Sequence, residues 1–438
     1  MKKTIKNILI VLGLFIVVYS LLILFSINYA DVTWNYGMSH AIRIGEIPYK
    51  DFNILMPPLS QYLMSILLFI KDGYLVFLFE QAILVTLFFV FMYKLIGNKI
   101  ILLLPIIAFP KFFFILPNYN FLAIFLILIL LYLEKNNKND YLIGVILSLI
   151  ILTKHSIGIF YLLVTLIGTF DFSKIKKRLL GIIPLLVVFL IYLLINHNLY
   201  EFLDLTVFGL FDFGSSNSGF ILYILIVSII LLAYLIYRFI KNPKDINNYY
   251  LLGTYSFIIP IMDQFHFNYF IFVYLFILIY NVTISKKYIK YIYLFCSLIF
   301  IFVVGINIYL NWNLFKDKNI LTDKYFYGYI VSDRLEEYIN NVYIDYSSRD
   351  NNYMYSYDSM FFDVMSDHKI TYFDVPDNGN FGYDGINKMK KKIDDMHDVY
   401  FYVNKREDTQ FCMEIYDYII EVSDMKYKVE DFSVYYKE

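Results

Sequence analysis

The sequence predicts a polytopic α-helical membrane protein of about eleven transmembrane helices, followed by a C-terminal extracytoplasmic α/β domain. Three observations carry this expectation. Of 438 residues, 59% are hydrophobic and 20% aromatic, with a mean hydropathy of +0.59, which is more apolar surface than a soluble core can hide. Several apolar stretches reach the roughly 18 to 20 residues that cross about 30 Å of hydrocarbon, and the stretch 8–27 holds no charge. After Trp312 the long apolar runs stop, and Asp, Lys, Asn and Tyr take over. Helices rather than barrel strands follow, because runs of this length satisfy their own backbone hydrogen bonds inside lipid.

Lys2, Lys3 and Lys6 precede the first run as in a signal peptide, but no small-residue cleavage site follows, so the segment reads as a retained signal anchor. Basic residues gather around Lys94 and Lys99, Lys135 and Lys138, Lys174 to Arg178, Arg238 to Lys244, and Lys286 to Lys290. Basic loops stay on the cytoplasmic side, which places them there with the N-terminus. The alternation gives helices near 8–27, 74–96, 99–116, 119–134, 141–156, 158–172, 179–196, 220–240, 249–262, 267–284 and 289–310. The stretch 57–70 opens with Pro57 and Pro58 and is too short to cross comfortably, so it reads as an interfacial helix within a first outer loop, 28–73. An odd number of crossings makes 1–311 the membrane domain and leaves 312–438 outside the plasma membrane. In that tail, strands are expected at 342–346, 369–375, 399–403 and 432–436, and helices at 385–396 and 409–422. The turn-forming residues at 376–380 and 382–385 fit a plain loop better than the rim of a sugar site.

A formal charge of −1 and the absence of a long basic patch exclude a general nucleic-acid binder. Two cysteines, Cys296 and Cys412, allow neither a disulfide framework nor a cysteine metal site. No glycine-rich loop ends in Gly-Lys-Ser or Gly-Lys-Thr and no His-Glu-x-x-His occurs, so ATP hydrolysis and zinc proteolysis lack their usual parts.

Chemistry is sought where ionisable groups meet membrane depth, because they are costly there. Asp31, Arg43, Lys50 and Asp51 lie in the first outer loop, Lys111, Asn118 and Asn120 around the third and fourth helices, Lys154 and His155 at the end of the fifth, and Asp263 and His266 between the ninth and tenth. All fall on one side of the expected topology. Cations there could hold a phosphate while a carboxylate removes a proton from an attacking hydroxyl. The plainer reading is that each charge merely terminates a span. Asp31 and Lys154 stand out, one at the bilayer surface and the other a lysine on the side that basic residues avoid. His40, His155 and His197 carry no argument alone.

The run from Asp31 through Gly45, Pro48-Tyr49, Asp51-Phe52 and Pro57-Pro58-Leu59 resembles the first outer loop of GT-C fold glycosyltransferases, the group that includes protein O-mannosyltransferases and bacterial lipid A aminoarabinose transferases. Pro117-Asn118-Tyr119-Asn120, Thr153-Lys154 and Asp263-Gln264-Phe265-His266 match the order of later polar motifs in that family. The resemblance covers about the first two thirds of the chain. It implies an inverting transferase that takes a sugar from a polyprenyl-phosphate donor and passes it to an extracytoplasmic glycan, lipid or protein. Asp31 would be the general base, Lys154 and Arg43 would neutralise the donor phosphate, His266 would assist in binding, and Asp51 would shape the loop or touch substrate. Asn118 and Asn120 stand where members often carry aspartate, and Val32 where many carry glutamate; amide groups are weak metal ligands, so no cofactor is expected and a divalent metal lacks support.

A multi-pass transporter or lipid flippase of cell-envelope precursors is the rival from another class, given polar residues such as Glu80, Gln81 and Lys111 within the helices. The lack of internal repeats counts against it. A cell-envelope scaffold whose outer domain binds a glycan needs fewer spans than this chain offers.

Overall fold

A computed structural model describes residues 2–25, 30–96, 118–136, 138–210, 221–260, 262–280, 318–369, 375–405 and 411–438. The expected helices at 99–116 and 289–310, most of the expected strand at 369–375, and Lys111 and Cys296 lie outside this set. The described chain is mostly helical, with a small sheet near the C-terminus.

In order, the helices are α1 (Lys2–Phe25), α2 (Ala30–Arg43), α3 (Leu59–Met64), α4 (Tyr74–Ile96), α5 (Tyr119–Lys135), α6 (Asp140–Thr153), α7 (His155–Thr169), α8 (Phe172–Ile195), α9 (Leu199–Leu203), α10 (Leu222–Lys241), α11 (Ile246–Gly253) and α12 (Gln264–Tyr280). The tail adds α13 (Asp333–Ser347), α14 (Ser359–Met365), α15 (Gly385–Asp394) and α16 (Met413–Glu421), with β1 (Lys318–Ile320), β2 (Ile330–Ser332), β3 (Asn352–Tyr355), β4 (Val399–Val403), β5 (Asp424–Val429) and β6 (Phe432–Lys437).

Four helical stretches are long and apolar enough to cross a membrane: Thr4–Ile23, Tyr74–Leu95, Phe172–Ile195 and Leu222–Lys241. They make this a membrane-associated protein. The other described members of the expected eleven are shorter. The 14 residues of α6 extend only about 21 Å at 1.5 Å per residue, and α11 breaks into a 3-10 turn at Thr254–Phe257. Apolar runs that looked continuous are interrupted by polar residues, most plainly at Lys154, which is extended (φ −150°, ψ 99°) between α6 and α7.

The chain divides into two compact units. The first comprises Met1–Leu22, Gln81–Leu190 and Ser218–Asn313. Within it, α5, α6 and α7 run alternately up and down. Glu134 in the last turn of α5 and Asp140 in the first turn of α6 both bind Arg178 of α8, at 2.6 and 3.0 Å, while Asn120 in the first turn of α5 meets Lys154 at the end of α6. Gly158 lies against the Ile151 backbone, so closely that a Cβ would stand 2.4 Å away, and the chain doubles back with Lys154 at the tip of the α6–α7 hairpin. Aromatic rings fill the interior, with Phe88 packed on Phe121 at 4.8 Å and Tyr255 on Phe270 at 4.8 Å.

The second unit comprises Ile23–Glu80, Ile191–Asn217 and Leu314–Glu438. Residues expected as an outer loop from 28 form a 14-residue helix, α2. Its polar residues hid it from a hydropathy reading, and it closes as many helices do, at a glycine: Gly45 has φ +98°, and the Glu46 amide reaches back to the Ala41 carbonyl at 2.9 Å. The expected interfacial helix is only α3, six residues long.

The tail sheet has the order β3-β4-β6-β5, with β3 and β4 parallel and the other pairs antiparallel. β4 is central and buried at Val399, Phe401, Tyr402 and Val403, as the β-branched and aromatic run predicts. α15 and α16 cover the sheet through Met389, Ile393, Ile415 and Ile419. The expected strand at 342–346 is instead part of α13. Ser332 caps that helix by accepting from the Leu335 amide at 3.3 Å, and Ile339, Val342 and Tyr346 are buried on it at spacings of three and four, a helical face that a short window of Val and Tyr resembles a strand in missing. The loop at 376–385 curls around Asp204: Gly382 (φ +85°) sits where a Cβ would stand 2.4 Å from Asp204 Oδ2. Lys388 Nζ pairs with Asp204 at 3.0 Å and Glu201 at 2.9 Å.

Candidate functional site

The first unit gathers five of the residues singled out from the sequence. Asn118 caps α5, its Oδ1 accepting from the amides of Asn120 at 3.0 Å and Phe121 at 3.3 Å, and its Nδ2 reaches the Tyr269 hydroxyl at 3.5 Å. Asp263 caps α12 in the same way, accepting from the His266 amide at 2.7 Å. Caps of this kind satisfy donors that the first turn of a helix leaves open. They also fix the residues just inside: Asn120 on α5 and His266 on α12 converge on the hairpin tip.

There Lys154 Nζ donates to Asn120 Oδ1 at 2.7 Å and stands 3.5 Å from His266 Nε2. His266 Nδ1 is 3.0 Å from both oxygens of Asp263. A carboxylate on Nδ1 selects the tautomer that carries its proton there, which leaves Nε2 as an acceptor for the ammonium. The Tyr119 ring lies 5.3 Å from Nζ. Two of the three ammonium protons are thereby directed at neutral acceptors among the described residues. The carboxylate is held one residue away, behind the imidazole.

The N-termini of α5, α7 and α12 all lie at this cluster. Helix N-termini carry partial positive charge; Asn118 and Asp263 cap those of α5 and α12, and the start of α7, which has no side-chain cap, adds to Lys154 in favouring an anion, such as a phosphate. His155 begins α7 and is half-buried beside the same tip.

The second unit holds the loop residues. The backbone of Asp31 lies in the first turn of α2, and its side chain lies outside the described residues. Asp51 Oδ2 accepts from the Ile47 amide at 2.7 Å, bracing a turn in which Tyr49 adopts φ +69°, its hydroxyl donates to the Met56 carbonyl at 2.6 Å, and Asn198 Nδ2 donates to the Pro48 carbonyl at 2.8 Å. This carboxylate shapes the loop. Lys50 is exposed.

Arg43 is not isolated. Its Nε lies 3.6 Å from Asp72 Oδ2, and the same oxygen bonds His40 Nδ1 at 2.7 Å, while Tyr36 donates to Asp72 Oδ1 at 3.2 Å. The His40 ring is fully buried and Asp72 is nearly so. Beside them Tyr325 packs edge-on to His40 at 4.9 Å and donates to Asp367 at 2.5 Å. That bond, reinforced by Lys324, holds the Asp367 carboxyl below the usual carboxylate range. Sequence reasoning missed the His40–Asp72 pair. The only signal was Lys71-Asp72-Gly73 breaking the chain ahead of an apolar run, and nothing in it points back 32 positions to His40.

Among the described residues, no group of three or more His, Cys, Asp or Glu side chains is arranged to hold a metal ion. No protein-family model, curated protein or solved structure matches the chain.

Proposed function

We propose that the protein is a polytopic, GT-C-like membrane glycosyltransferase that moves a sugar from a polyprenyl-phosphate donor to an extracytoplasmic glycan, lipid or protein, with inversion at the anomeric carbon. One observation carries the reading: a lysine at the tip of an apolar helical hairpin, held by an amide and an imidazole rather than by a carboxylate, where three helix N-termini meet. Such a site binds an anion and lowers the cost of a leaving phosphate.

In the reaction, the Asp31 carboxylate takes the proton of an acceptor hydroxyl, and that oxygen attacks the anomeric carbon as the bond from carbon to phosphate oxygen breaks. The lipid phosphate leaves with its negative charge matched by Lys154, and Asn120 and His266 keep the ammonium aimed. Asp263 orients the imidazole. Arg43, beside Asp72, is the second cation that the resemblance assigns to the donor phosphate, and Asp51 braces its own loop. Asp31→Asn removes the base without adding bulk, so it should abolish transfer from a radiolabelled lipid-linked sugar in reconstituted membranes while expression and thermal unfolding stay unchanged. Full transfer by that variant would refute the assignment. In cells lacking the protein, mass spectrometry should find the unspent lipid-linked sugar accumulating.

The same hairpin tip favours one other reading, a lipid flippase, because helix ends that grip a phosphate also serve translocation. The two part in liposomes: a transferase releases free polyprenyl phosphate from the donor, whereas a flippase moves the donor across the bilayer intact.

A further inference from the structure

The second unit exposes apolar side chains in two segments that the proposed transfer does not use. After α3 the backbone keeps turning helically, with the Phe69 amide on the Ser65 carbonyl at 3.2 Å and the Lys71 amide on the Leu67 carbonyl at 3.1 Å. Along 59–71 the large apolar residues that face outward are Tyr62, Ile66, Phe69 and Ile70, while Ser60, Gln61 and Ser65 are buried. Spacings of four, three and one put the exposed residues on one helical face. The usual amphipathic pattern is inverted, with Ile70 82% exposed and Gln61 1%. Such a face is unfavourable against water and favourable against hydrocarbon.

The second segment continues from a span. α8 has 24 residues and extends about 36 Å at 1.5 Å per residue, enough to cross about 30 Å of hydrocarbon and bring its last turn to the headgroup layer. That turn, 191–195, belongs to the second unit and exposes Ile191, Leu194 and Ile195. Within it the Tyr192 hydroxyl accepts from that of Tyr62 at 3.1 Å, with the two rings edge-on, so the inverted stretch lies beside the end of the span. Beyond it, α9 and the π-helical turn Asp204–Phe208 expose Tyr200, Val207 and Phe208, while Asp204 and Thr206 are buried. Tyrosines, with an apolar ring and a wet hydroxyl, are enriched at membrane interfaces.

The tail is fastened to this second segment. Lys388 of α15 bridges Glu201 and Asp204 and lies over the Tyr200 ring, 4.6 Å from its centroid. Gly209 meets Gly382 so closely that a Cβ on it would stand 2.8 Å from the Gly382 Cα, and the next residue, Tyr383, is exposed. We propose that 59–71 and 191–208 form one lipid-facing seat, which sinks into a single leaflet and holds the C-terminal domain against the bilayer with Tyr383 at its rim. The occupant is lipid, because the seat continues the outward surface of a spanning helix. Amphipathic elements of this kind settle about 5–10 Å into the boundary between headgroups and acyl chains. The tail then rides at a fixed height over the membrane instead of swinging on a linker, whether or not the first unit transfers sugar.

The test replaces Phe69, Phe208, Tyr383 and, for comparison, Met425, which is exposed on β5, one at a time with the photo-crosslinking residue p-benzoylphenylalanine in the full-length protein held in dioleoylphosphatidylcholine nanodiscs. After irradiation, mass spectrometry should find phosphatidylcholine adducts at 69, 208 and 383 and only background at 425. Hydroxyl-radical footprinting of the unsubstituted protein in the same nanodiscs, which needs no variant to fold, should label Met425 and spare Phe69, Phe208 and Tyr383. Lipid adducts at 425 equal to those at 69 and 208, absence of lipid adducts at 69, 208 or 383, crosslinks from 69 or 208 to a second copy of the chain, or radical labelling of the three seat residues equal to that of Met425 would overturn the proposal.

Discussion

The two ends of α5 hold two cations in opposite ways. At the C-terminal end Arg178, 2% exposed, is clamped by Glu134 and Asp140; at the N-terminal end, about 21 Å away along the helix, Lys154 is held by Asn120 and His266. The first charge is spent on the fold, because two carboxylates saturate it. The second is aimed but not neutralised, and its nearest described carboxylate, Asp263, is occupied with the imidazole and a helix cap. A half-buried cation with no adjacent counter-ion among the described residues is poor for stability and good for receiving an anion.

The largest test of this contrast is on stability. Arg178→Ala strands two carboxylates side by side and should cost about 3–5 kcal/mol, read as a lowered unfolding temperature of the detergent-solubilised protein. Lys154→Ala should leave that temperature nearly unchanged, and an equal loss in both variants breaks the comparison. On activity the order reverses: Lys154→Ala should lower kcat/KM for the lipid-linked donor by about 1.5 to 3 kcal/mol, the worth of a charge-assisted hydrogen bond, whereas a donor dependence equal to that of the unsubstituted protein removes the phosphate from Lys154. Arg43→Ala should do less on both counts, about 1 kcal/mol or below, since its partly exposed guanidinium is already offset by Asp72 at 3.6 Å; steady-state donor kinetics check this.

A third lysine sharpens the point by pH. Burial pushes Lys392, in the second unit, down to about 8 from its usual 10.5. Between those values the unfolded chain holds a proton that the folded chain has lost, so stability should rise with pH through that window. Lys392→Met should flatten the rise, as followed by the denaturant midpoint at pH 8 and above.

The sequence showed most where one kind of signal dominated a whole element. A long, mainly apolar run marked 74–96, where α4 lies, and a run of valine and aromatic residues marked 399–403, where β4 lies. Asn118, Asn120, Lys154, Asp263 and His266 were singled out as costly polar residues, and all five meet in space. What the sequence concealed has a common cause. α2 is built of Asn35, Ser39 and His40, whose burial makes sense only once Asp72 and the Asn35 carbonyl are seen as their partners. α13 carries strand-like residues whose helical spacing becomes visible only over four turns. Arg178 read as one more basic residue of a cytoplasmic loop, because pairing with Glu134 and Asp140 depends on how three helices stack. Partners distant in the chain leave no local trace.

That stacking is unusually close. Gly144 of α6 lies where a Cβ would stand 2.1 Å from the Arg178 carbonyl, and Gly181 of α8 lies where one would stand 2.2 Å from the carbonyl of Tyr141. With backbone resting on backbone, α6 and α8 have no side-chain cushion to slide upon, so they move as a single beam. Among the described helices whose N-termini bear the hairpin tip, α7 and α12 lack that restraint, and they are the ones in which to look for hinge behaviour in the proposed transfer.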